Sequence, residues 1–395
     1  MATFVDIHAI QSVGPNNLNR DLNGSPKTAT FGGVRRARVS SQAWKRPMRL
    51  DFQERYSPEN LGIRTARVVE LLSEEIARQD PELQDQAVDI ALAVFDAVGI
   101  KIAKPKAKKG EDIAVQDMVS QYLVFLSTAQ VEAAAATAIA AYDQGGETGV
   151  KAAKRQLKKD LNADLSVDLA LFGRMVAEDA DLNVDASCQV AHALSTHQVG
   201  TEFDFFTAVD DVKAADEETD AGAGMMGNVE FDAATFYRYA TVNATALAHQ
   251  LGSDDAATKA IEGFLDVFVT SMPTGKQNTF AAHSLPSLVA VAVRTDRPVS
   301  WVGAFERPVY PRRHPDAPTD GYGIESERRM LKHGASLDAT YGGPVGETLV
   351  LKTNEDLDAP ALLSGADVVP TLKDLEARVG EAVSSQLAEA KAEQA

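Results

Sequence analysis

The chain has 395 residues, of which 45% are hydrophobic and 24% are charged. This size and composition predict a globular protein with one large domain or two to three ordinary ones. Its 57 Asp and Glu outnumber 39 Lys and Arg and give a formal net charge of -18. That balance excludes a surface that binds nucleic acid or anionic membrane indiscriminately, so any anion-binding site must be local.

The only cysteine, Cys188, excludes an intramolecular disulfide and is typical of a reducing compartment. The N-terminal segment carries Asp6 and His8 where a signal peptide needs an apolar run, and no stretch approaches the ~18 apolar residues of a spanning helix. We therefore expect a cytoplasmic protein that has no membrane partner.

The first part of the chain divides into a strand, a long loop and a helical region. Residues 4–11 alternate, with Val5 and Ile7 on one face, which predicts a half-buried strand. Residues 12–33 are rich in Gly, Pro, Asn and Ser, and loops of this length are usually functional or disordered. Between residues 60 and 161, apolar residues recur at spacings of three and four, which predicts a helical subdomain.

The remaining elements indicate an α+β fold. Residues 164–176, 235–243 and 285–294 have the alternation or the β-rich composition of strands, and a helix is predicted over residues 257–272. When the insertions are removed, the element order is close to the βαββαβ plan of ferredoxin-like and RRM domains.

Two further segments lie outside this plan. Residues 197–230 have strand-like flanks around an acidic, Gly-rich centre, which predicts either a projecting hairpin or a disordered segment. Residues 370–395 predict a polar C-terminal helix that frays.

The most unusual feature is a stretch without acids. Residues 22–50 contain no Asp or Glu, where roughly four would be expected by chance. The basic residues of this stretch are Lys27, Arg35, Arg36, Arg38, Lys45, Arg46 and Arg49.

The second half of this stretch, residues 40–49, predicts the start of a helix with two contrasting stripes. One stripe is polar and comprises Gln42, Lys45, Arg46 and Arg49; the other is apolar and comprises Trp44, Met48 and Phe52. Ser40 can cap this helix, whose positive N-terminal end favours an anion, whereas Pro47 removes a backbone hydrogen bond and tends to bend it. The pattern favours a phosphate-binding surface, with a solvated amphipathic helix as the alternative.

Arg174 and Met175 lie at the end of the predicted strand at 164–176. A strand end that borders a cleft can present both a charge and a soft apolar surface. An ordinary strand end is the alternative.

Signals for catalysis are weak. The sequence "PTGKQNT" at residues 273–279 lacks the glycine spacing of a phosphate loop, and His192 and His197 lack the spacing and the Glu of a zinc helix. We therefore expect no catalytic residue, metal or cofactor. Asp21, the one acid in the loop at 14–33, leaves open a minority hypothesis of metal-dependent RNA cleavage.

Several sequence blocks together resemble the CasC family, the backbone subunits of type I-E CRISPR Cascade. These blocks are "NLNRD" at 17–21, "FGGVRRARVSSQAWKRPMR" at 31–49, "GRM" at 173–175, "AHALSTHQV" at 191–199, "FTAVDDV" at 206–212, "FYRYATVN" at 236–243 and "KQNTFAA" at 276–282. They occur in the family's order, and the C-terminal third contributes little to the resemblance.

The resemblance implies a hand-shaped member of the RAMP superfamily. It implies a modified RRM palm with an inserted helical fingers domain and a β-hairpin thumb. The expected boundaries are palm at 1–57, 161–196 and 233–395, fingers at 58–160, and thumb at 197–232. The acidic thumb tip at 216–220 is expected to lie away from RNA.

The resemblance also implies a non-catalytic role in antiviral defence. Copies of such a protein polymerise along CRISPR RNA, join other Cascade subunits, and present the guide for pairing with target DNA. Because phosphates carry no sequence information, such binding is sequence-neutral. A related subunit that cuts guide-paired RNA with a metal, and a processing endoribonuclease, are the alternatives.

Candidate RNA-binding residues follow from the basic stretch and from the family motifs. Those expected at the RNA backbone are Lys27, Arg35, Arg38, Ser40, Gln42, Lys45, Arg46, Arg49, Arg174 and Lys276. Met175 and Thr207 are expected to flank a displaced nucleotide. Arg35 and Arg36 face either RNA or a neighbouring subunit, and Pro47, a departure from the family pattern, puts the orientation of Arg49 in doubt.

Overall fold

The structure is a computed structural model that describes residues 2–105, 117–176, 179–208, 225–311, 321–344, 346 and 348–393. The strands of this part of the chain are β1 (Phe4–Asn16), β2 (Thr28–Phe31), β3 (Val34–Val39), β4 (Gly62–Thr65), β5 (Ile102–Ala103), β6 (Val119–Ser120), β7 (Val124–Ser127), β8 (Cys188–Val190), β9 (Ala193–Ser195), β10 (Glu202–Ala208), β11 (Met225–Asn243), β12 (Leu288–Arg294), β13 (Thr348–Lys352) and β14 (Ala366–Val368).

The α-helices of the same residues are α1 (Ser41–Arg55), α2 (Val68–Gln79), α3 (Ala87–Val98), α4 (Thr128–Ala152), α5 (Lys154–Asp160), α6 (Val167–Phe172), α7 (Ala244–Leu251), α8 (Asp254–Thr270), α9 (Gln277–Phe280), α10 (Gly323–Tyr341), α11 (Ala359–Leu362) and α12 (Leu372–Ala392). This mixture confirms the predicted α+β class. None of the described helices combines the length and the hydropathy that crossing a bilayer requires.

The chain forms two compact units. The first draws on residues 1–51, 190–241 and 261–395, and the second on residues 52–189 and 242–260. In the second unit, α2, α3, α4 and α5 surround a core that includes Val94, Ala135 and Leu157. Helices predicted between residues 60 and 161 are therefore present.

A large mixed sheet forms the centre of the first unit. Its strands follow the order β14-β13-β12-β1-β11-β9-β3-β2, and β10 pairs with β11 outside this path. The β13–β14 pair is parallel, whereas the β1–β12, β12–β13, β9–β11, β3–β9 and β2–β3 pairs are antiparallel. One side of this unit has a core around Trp301, Met330 and Val350.

Residues 5–11 of β1 are buried on both faces, so the prediction of a half-buried strand over residues 4–11 is wrong. Tertiary partners cover the polar face: the ring of His8 stacks on Trp301 with centroids 3.8 Å apart, and the Asp6 carboxylate accepts hydrogen bonds from Val299 N–H at 2.8 Å and from Tyr239 O–H at 2.9 Å. A central strand with such partners carries polar residues that sequence alternation assigns to solvent.

The strand predicted at 164–176 is also wrong, because Val167–Phe172 is the helix α6. Residues 168–171 are all buried, so the alternation of leucines does not separate an inner face from an outer one. Asp168 holds the helix start in place: its carboxylate accepts hydrogen bonds from Gly62 N–H at 2.9 Å and from Ser166 O–H at 2.7 Å.

The C-terminal helix α12 belongs to the first unit. It buries Leu375, Val379, Val383 and Leu387 and packs on β12 and β13. The predicted fraying is therefore wrong up to residue 392, since one side of the helix contributes to the core.

A tight hairpin joins β2 to β3. Gly32 and Gly33 have φ values of 60° and 78°, which fit a two-residue turn of the kind that glycine favours. A Cβ atom on Gly32 would collide with the carbonyl oxygen of Glu306, whereas one on Gly33 would meet open space. The hairpin is thus seated on the backbone at Glu306.

The two glycines of this turn provide a matched pair of substitutions. We expect Gly32→Ala to lower the free energy of unfolding by about 3 kcal/mol, because it adds a steric collision to the positive-φ cost. Gly33→Ala should cost only about 1 kcal/mol, from the positive φ alone. Urea unfolding followed by circular dichroism measures both values, and equal losses would contradict the seating of the turn on Glu306.

Candidate anion-binding groove

A groove of about 540 Å³ in the first unit gathers three of the predicted RNA-binding residues, Lys27, Arg35 and Arg38. Its other lining residues are Asp21, Ser25, Pro26, Thr28, Thr201, Phe203 and Glu230. The β2–β3 ladder brings the cations together, because Thr28 pairs with Ala37 and Thr30 pairs with Arg35. Residues that are up to eleven positions apart in the sequence therefore face one space.

Most of the charges in this groove have no partner among the described residues. The side chains of Lys27, Arg35 and Glu230 make no hydrogen bond or ion pair within the described part of the chain. These groups are therefore available to a ligand, since the cations can pair with an anion and the carboxylate can accept hydrogen bonds.

The segment Asn16–Asn19 holds the walls of the groove together. Asn17 donates from Nδ2 to the carbonyl oxygens of Gly24 at 2.9 Å and Glu230 at 2.8 Å. Asn19 accepts from Lys27 N–H at 2.8 Å through its carbonyl and from Ser40 N–H at 2.9 Å through Oδ1.

This segment also positions Lys276. A Cβ atom on Gly275 would collide with the carbonyl oxygen of Leu18, so the turn that contains Lys276 packs against the same segment. The predicted site residues Lys27, Ser40 and Lys276 are therefore all fixed relative to residues 16–19.

Helix α1 continues through Pro47 to Arg55, so Pro47 does not end the helix. The predicted apolar stripe of Trp44, Met48 and Phe52 is confirmed, since each side chain is at most 1% exposed. On the polar stripe, Gln42 and Arg46 are exposed, whereas Lys45 and Arg49 are half-buried and have partners within the protein. Ser40 caps the helix through its side chain, because its Oγ accepts a hydrogen bond from Ala43 N–H at 3.4 Å.

A buried arginine supports α1 from below. The Arg238 guanidinium lies 3.8 Å from the ring centroid of Trp44 and 4.4 Å from that of Phe268. It donates to Gln11 Oε1 at 2.6 Å and to the Phe268 carbonyl oxygen. Burial lowers the pKa of Arg238 to about 9, and no carboxylate pairs with it among the described residues.

The predicted RNA contact of Arg174 is corrected to a structural role. The side chain lies in the second unit and is only 5% exposed. Its guanidinium donates to the carbonyl oxygens of Leu182 at 2.6 Å, Leu161 at 2.7 Å and Phe125 at 3.2 Å. These donors are therefore used inside the unit, and burial lowers the pKa of Arg174 to about 10.

Arg36 is likewise internal, which corrects the expectation that it faces RNA or a neighbouring subunit. It is fully buried and donates to the carbonyl oxygens of Phe31 at 3.1 Å, Ser195 at 3.1 Å and Phe305 at 2.8 Å. Arg35, the preceding residue of β3, is exposed in the groove.

The other predicted residues lie on exposed surface. Met175 is 82% exposed in the second unit, and Thr207 is exposed on β10, where it pairs with Met226. The acidic tip at 216–220 lies outside the described residues. Met175 and Thr207 belong to different units.

Sequence reasoning missed an exposed aromatic face on the β10–β11 hairpin. Phe203 and Phe205 are 66% and 63% exposed, and Phe203 lines the groove opposite Glu230 in the strand register. The signal was present in "EFDFFTA", where aromatic residues recur at i and i+2 on one face of a strand. Exposed aromatic side chains of this kind mark binding surfaces.

Asp21 has a local structural use. Its Oδ1 accepts hydrogen bonds from Asn23 N–H at 2.8 Å and from Ser25 N–H at 3.1 Å, which closes the turn at the edge of the groove. Within the described ranges, no cluster of three or more His, Cys, Asp or Glu side chains is arranged to hold a metal ion.

The fold and the groove define a class of protein: a mixed α+β chain of strongly acidic composition with a local cationic groove. Residues 5–377 match the model of a family described as CT1975-like protein. The chain therefore belongs to the CT1975-like family. None of the curated proteins matches it.

Two solved structures contain similar chains. One, from a structure described as "CRISPR RNA-guided surveillance complex, pre-nicking", is 33% identical over 96% of this chain and 100% of that chain, with a TM-score of 0.79. Another, from a "CRISPR RNA-guided surveillance complex", is 27% identical over 95% of this chain and 99% of that chain, with a TM-score of 0.69.

Arg38, which lines the groove, contacts the ring of His192. Arg38 Nη1 lies 3.0 Å from His192 Nδ1, and since arginine only donates, Nδ1 must be unprotonated. Burial and the charges of Arg38 and Lys27 lower the pKa of His192 below its usual value. We therefore expect Arg38→Gln to raise the His192 pKa, measured from the pH dependence of its ring proton shifts in NMR spectra.

A His192 pKa that does not rise in the variant would contradict the pairing.

Proposed function

We propose that this protein is a component of a CRISPR RNA-guided surveillance complex and that it binds the sugar-phosphate backbone of the guide RNA without cutting it. The observation that carries the proposal is the gathering of Lys27, Arg35 and Arg38 in one groove of a chain with net charge -18. Family membership and similarity to chains of two such complexes support it.

Phosphate binding follows from the chemistry of the groove. Lys27 and Arg35, which have no partner among the described residues, and Arg38, which faces the same space, attract consecutive phosphates. Because a net charge of -18 repels nucleic acid from most of the surface, binding is expected only where cations gather, as they do in this groove. Contacts of this type carry no sequence information, which suits a subunit that holds guides of any sequence.

We assign the finer features of the resemblance to the same proposal. The protein would be a type I-E backbone subunit with palm, fingers and thumb at the predicted boundaries, and several copies would line one guide and leave it free to pair with target DNA. The antiparallel pairing of β10 with β11 supports the thumb. Its exposed Phe203 and Phe205 offer a surface on which a base can stack.

A non-enzymatic role is part of the proposal. Asp21, the candidate for metal-dependent cleavage, uses one carboxylate oxygen to close its own turn. Incubation of the assembled complex with complementary RNA and Mg²⁺ tests this assignment. Intact RNA after long incubation agrees with it, and specific cleavage that Asp21→Asn abolishes would replace it with the nuclease alternative.

The groove cations provide the decisive test of RNA binding. We expect Lys27→Ala with Arg35→Ala to weaken binding of a short RNA by tenfold or more at low salt, whatever its sequence. Loss of two phosphate contacts should also flatten the salt dependence by about 1.4 log units per log unit of salt. Fluorescence anisotropy over a salt series measures both quantities.

The matched control removes the same charge elsewhere. Lys154→Ala with Arg155→Ala takes two exposed cations from α5 in the second unit and should leave both the affinity and the slope close to those of the wild type. Equal effects of the two double variants would show that net charge, rather than the groove, governs binding, and an unchanged groove variant would refute the proposal.

A further inference from the structure

The groove that holds the three cations is also lined by a carboxylate, that of Glu230. Glu230 lies on β11 opposite Phe203, and its backbone is fixed because its carbonyl oxygen accepts a hydrogen bond from Asn17 Nδ2 at 2.8 Å. Its carboxylate has no hydrogen bond or ion pair within the described residues, although Lys27, Arg35 and Arg38 line the same groove.

An anionic side chain at this position opposes phosphate binding. Coulomb repulsion between a carboxylate and a phosphate weakens the attraction that the three cations supply. The carboxylate strengthens binding only if the ligand offers it a hydrogen-bond donor, since an ionised carboxylate is an acceptor and never a donor. The groove therefore fits a ligand that carries phosphates and donors in alternation.

RNA is such a ligand. Every ribose places a 2′-hydroxyl between consecutive phosphates, whereas deoxyribose has no donor there. Hydrogen bonds from a hydroxyl to a carboxylate are short and strong. Thr28 and Thr201 also line the groove and can exchange hydrogen bonds with the sugar. Asp21 is less available, because one of its oxygens is already held by Asn23 N–H and Ser25 N–H.

We propose that Glu230 determines specificity for RNA over DNA by accepting a hydrogen bond from a ribose 2′-hydroxyl. This inference rests on the proposed function, since it assigns the sugar that the same groove recognises. A groove lined by cations alone would hold RNA and DNA equally well. Glu230 lowers the affinity for both backbones, and only RNA recovers the loss.

The test compares three oligonucleotides of one sequence, each short enough to hold a single protein molecule: RNA, DNA and 2′-fluoro RNA. The 2′-fluoro form lacks the hydroxyl donor, so it separates the effect of hydrogen-bond donation from the effect of the oligonucleotide's conformation. We expect the wild-type protein to bind RNA about tenfold more tightly than the 2′-fluoro form, the factor that one charge-assisted hydrogen bond supplies.

Variants at Glu230 isolate its contribution. In Glu230→Ala, affinity for DNA and for 2′-fluoro RNA should rise because a negative charge is removed, and the preference for RNA should fall by about tenfold. Glu230→Gln retains a neutral acceptor and should keep part of the preference. Glu202→Ala removes a carboxylate from the neighbouring strand β10, outside the groove lining, and should keep the whole preference.

The outcomes are distinguishable. An equal preference for RNA in the wild type and in Glu230→Ala would overturn the role of Glu230. The role would also be overturned if Glu230→Ala lost the preference for RNA with uridine oligomers but not with adenosine oligomers, or the reverse, because the effect would then depend on the base rather than on the sugar. If the wild-type protein binds none of the oligonucleotides, the proposed function itself fails. Thermal unfolding of each variant confirms that its fold is intact.

Discussion

The groove depends on hydrogen bonds made by three asparagines at the end of β1 and in the loop that follows it. Asn16 and Asn17 donate to backbone carbonyls of β11, and Asn19 accepts from the Lys27 N–H just before β2 and from the Ser40 N–H at the start of α1, with distances between 2.8 and 3.1 Å. Asn16 and Asn17 are almost fully buried. Because buried amides of this kind lose heavily when a partner is removed, three walls of the groove are held as one piece.

The basic side chains of this protein differ in whether other groups of the protein bind them. Where cations serve the fold, as at Arg36 and Arg174, carbonyl oxygens saturate their donors. At the groove, Lys27 and Arg35 have no partner among the residues that the structure describes. An arginine is therefore structural where backbone carbonyl oxygens surround it, and it is available to a ligand where they do not. Net charge alone does not distinguish these two uses.

This difference explains what the sequence could predict. Periodicity located α1, because an amphipathic stripe reflects burial directly. Alternation also located β1, although both faces of its first part are buried, and β-rich composition located the strand that contains Arg238. Periodicity failed at Val167–Phe172, where burial on all sides erases it, and at Arg174, because backbone carbonyls that satisfy an arginine come from distant segments. The missing acids of residues 22–50 indicated the groove, but Glu230 reaches it from β11, far along the chain. The predicted domain boundaries stay predictions.

Arg238 places a buried positive charge against helix α1. Its charge is sandwiched between Trp44 and Phe268, away from mobile ions. Salt screens exposed charges within a Debye length but hardly reaches a buried one. The contacts of Arg238 with Trp44 and Phe268 should therefore depend little on ionic strength, whereas the exposed charge of Arg46 is screened as salt rises. The packing beneath α1 thus stays the same across salt concentrations that change the effective charge of its surface.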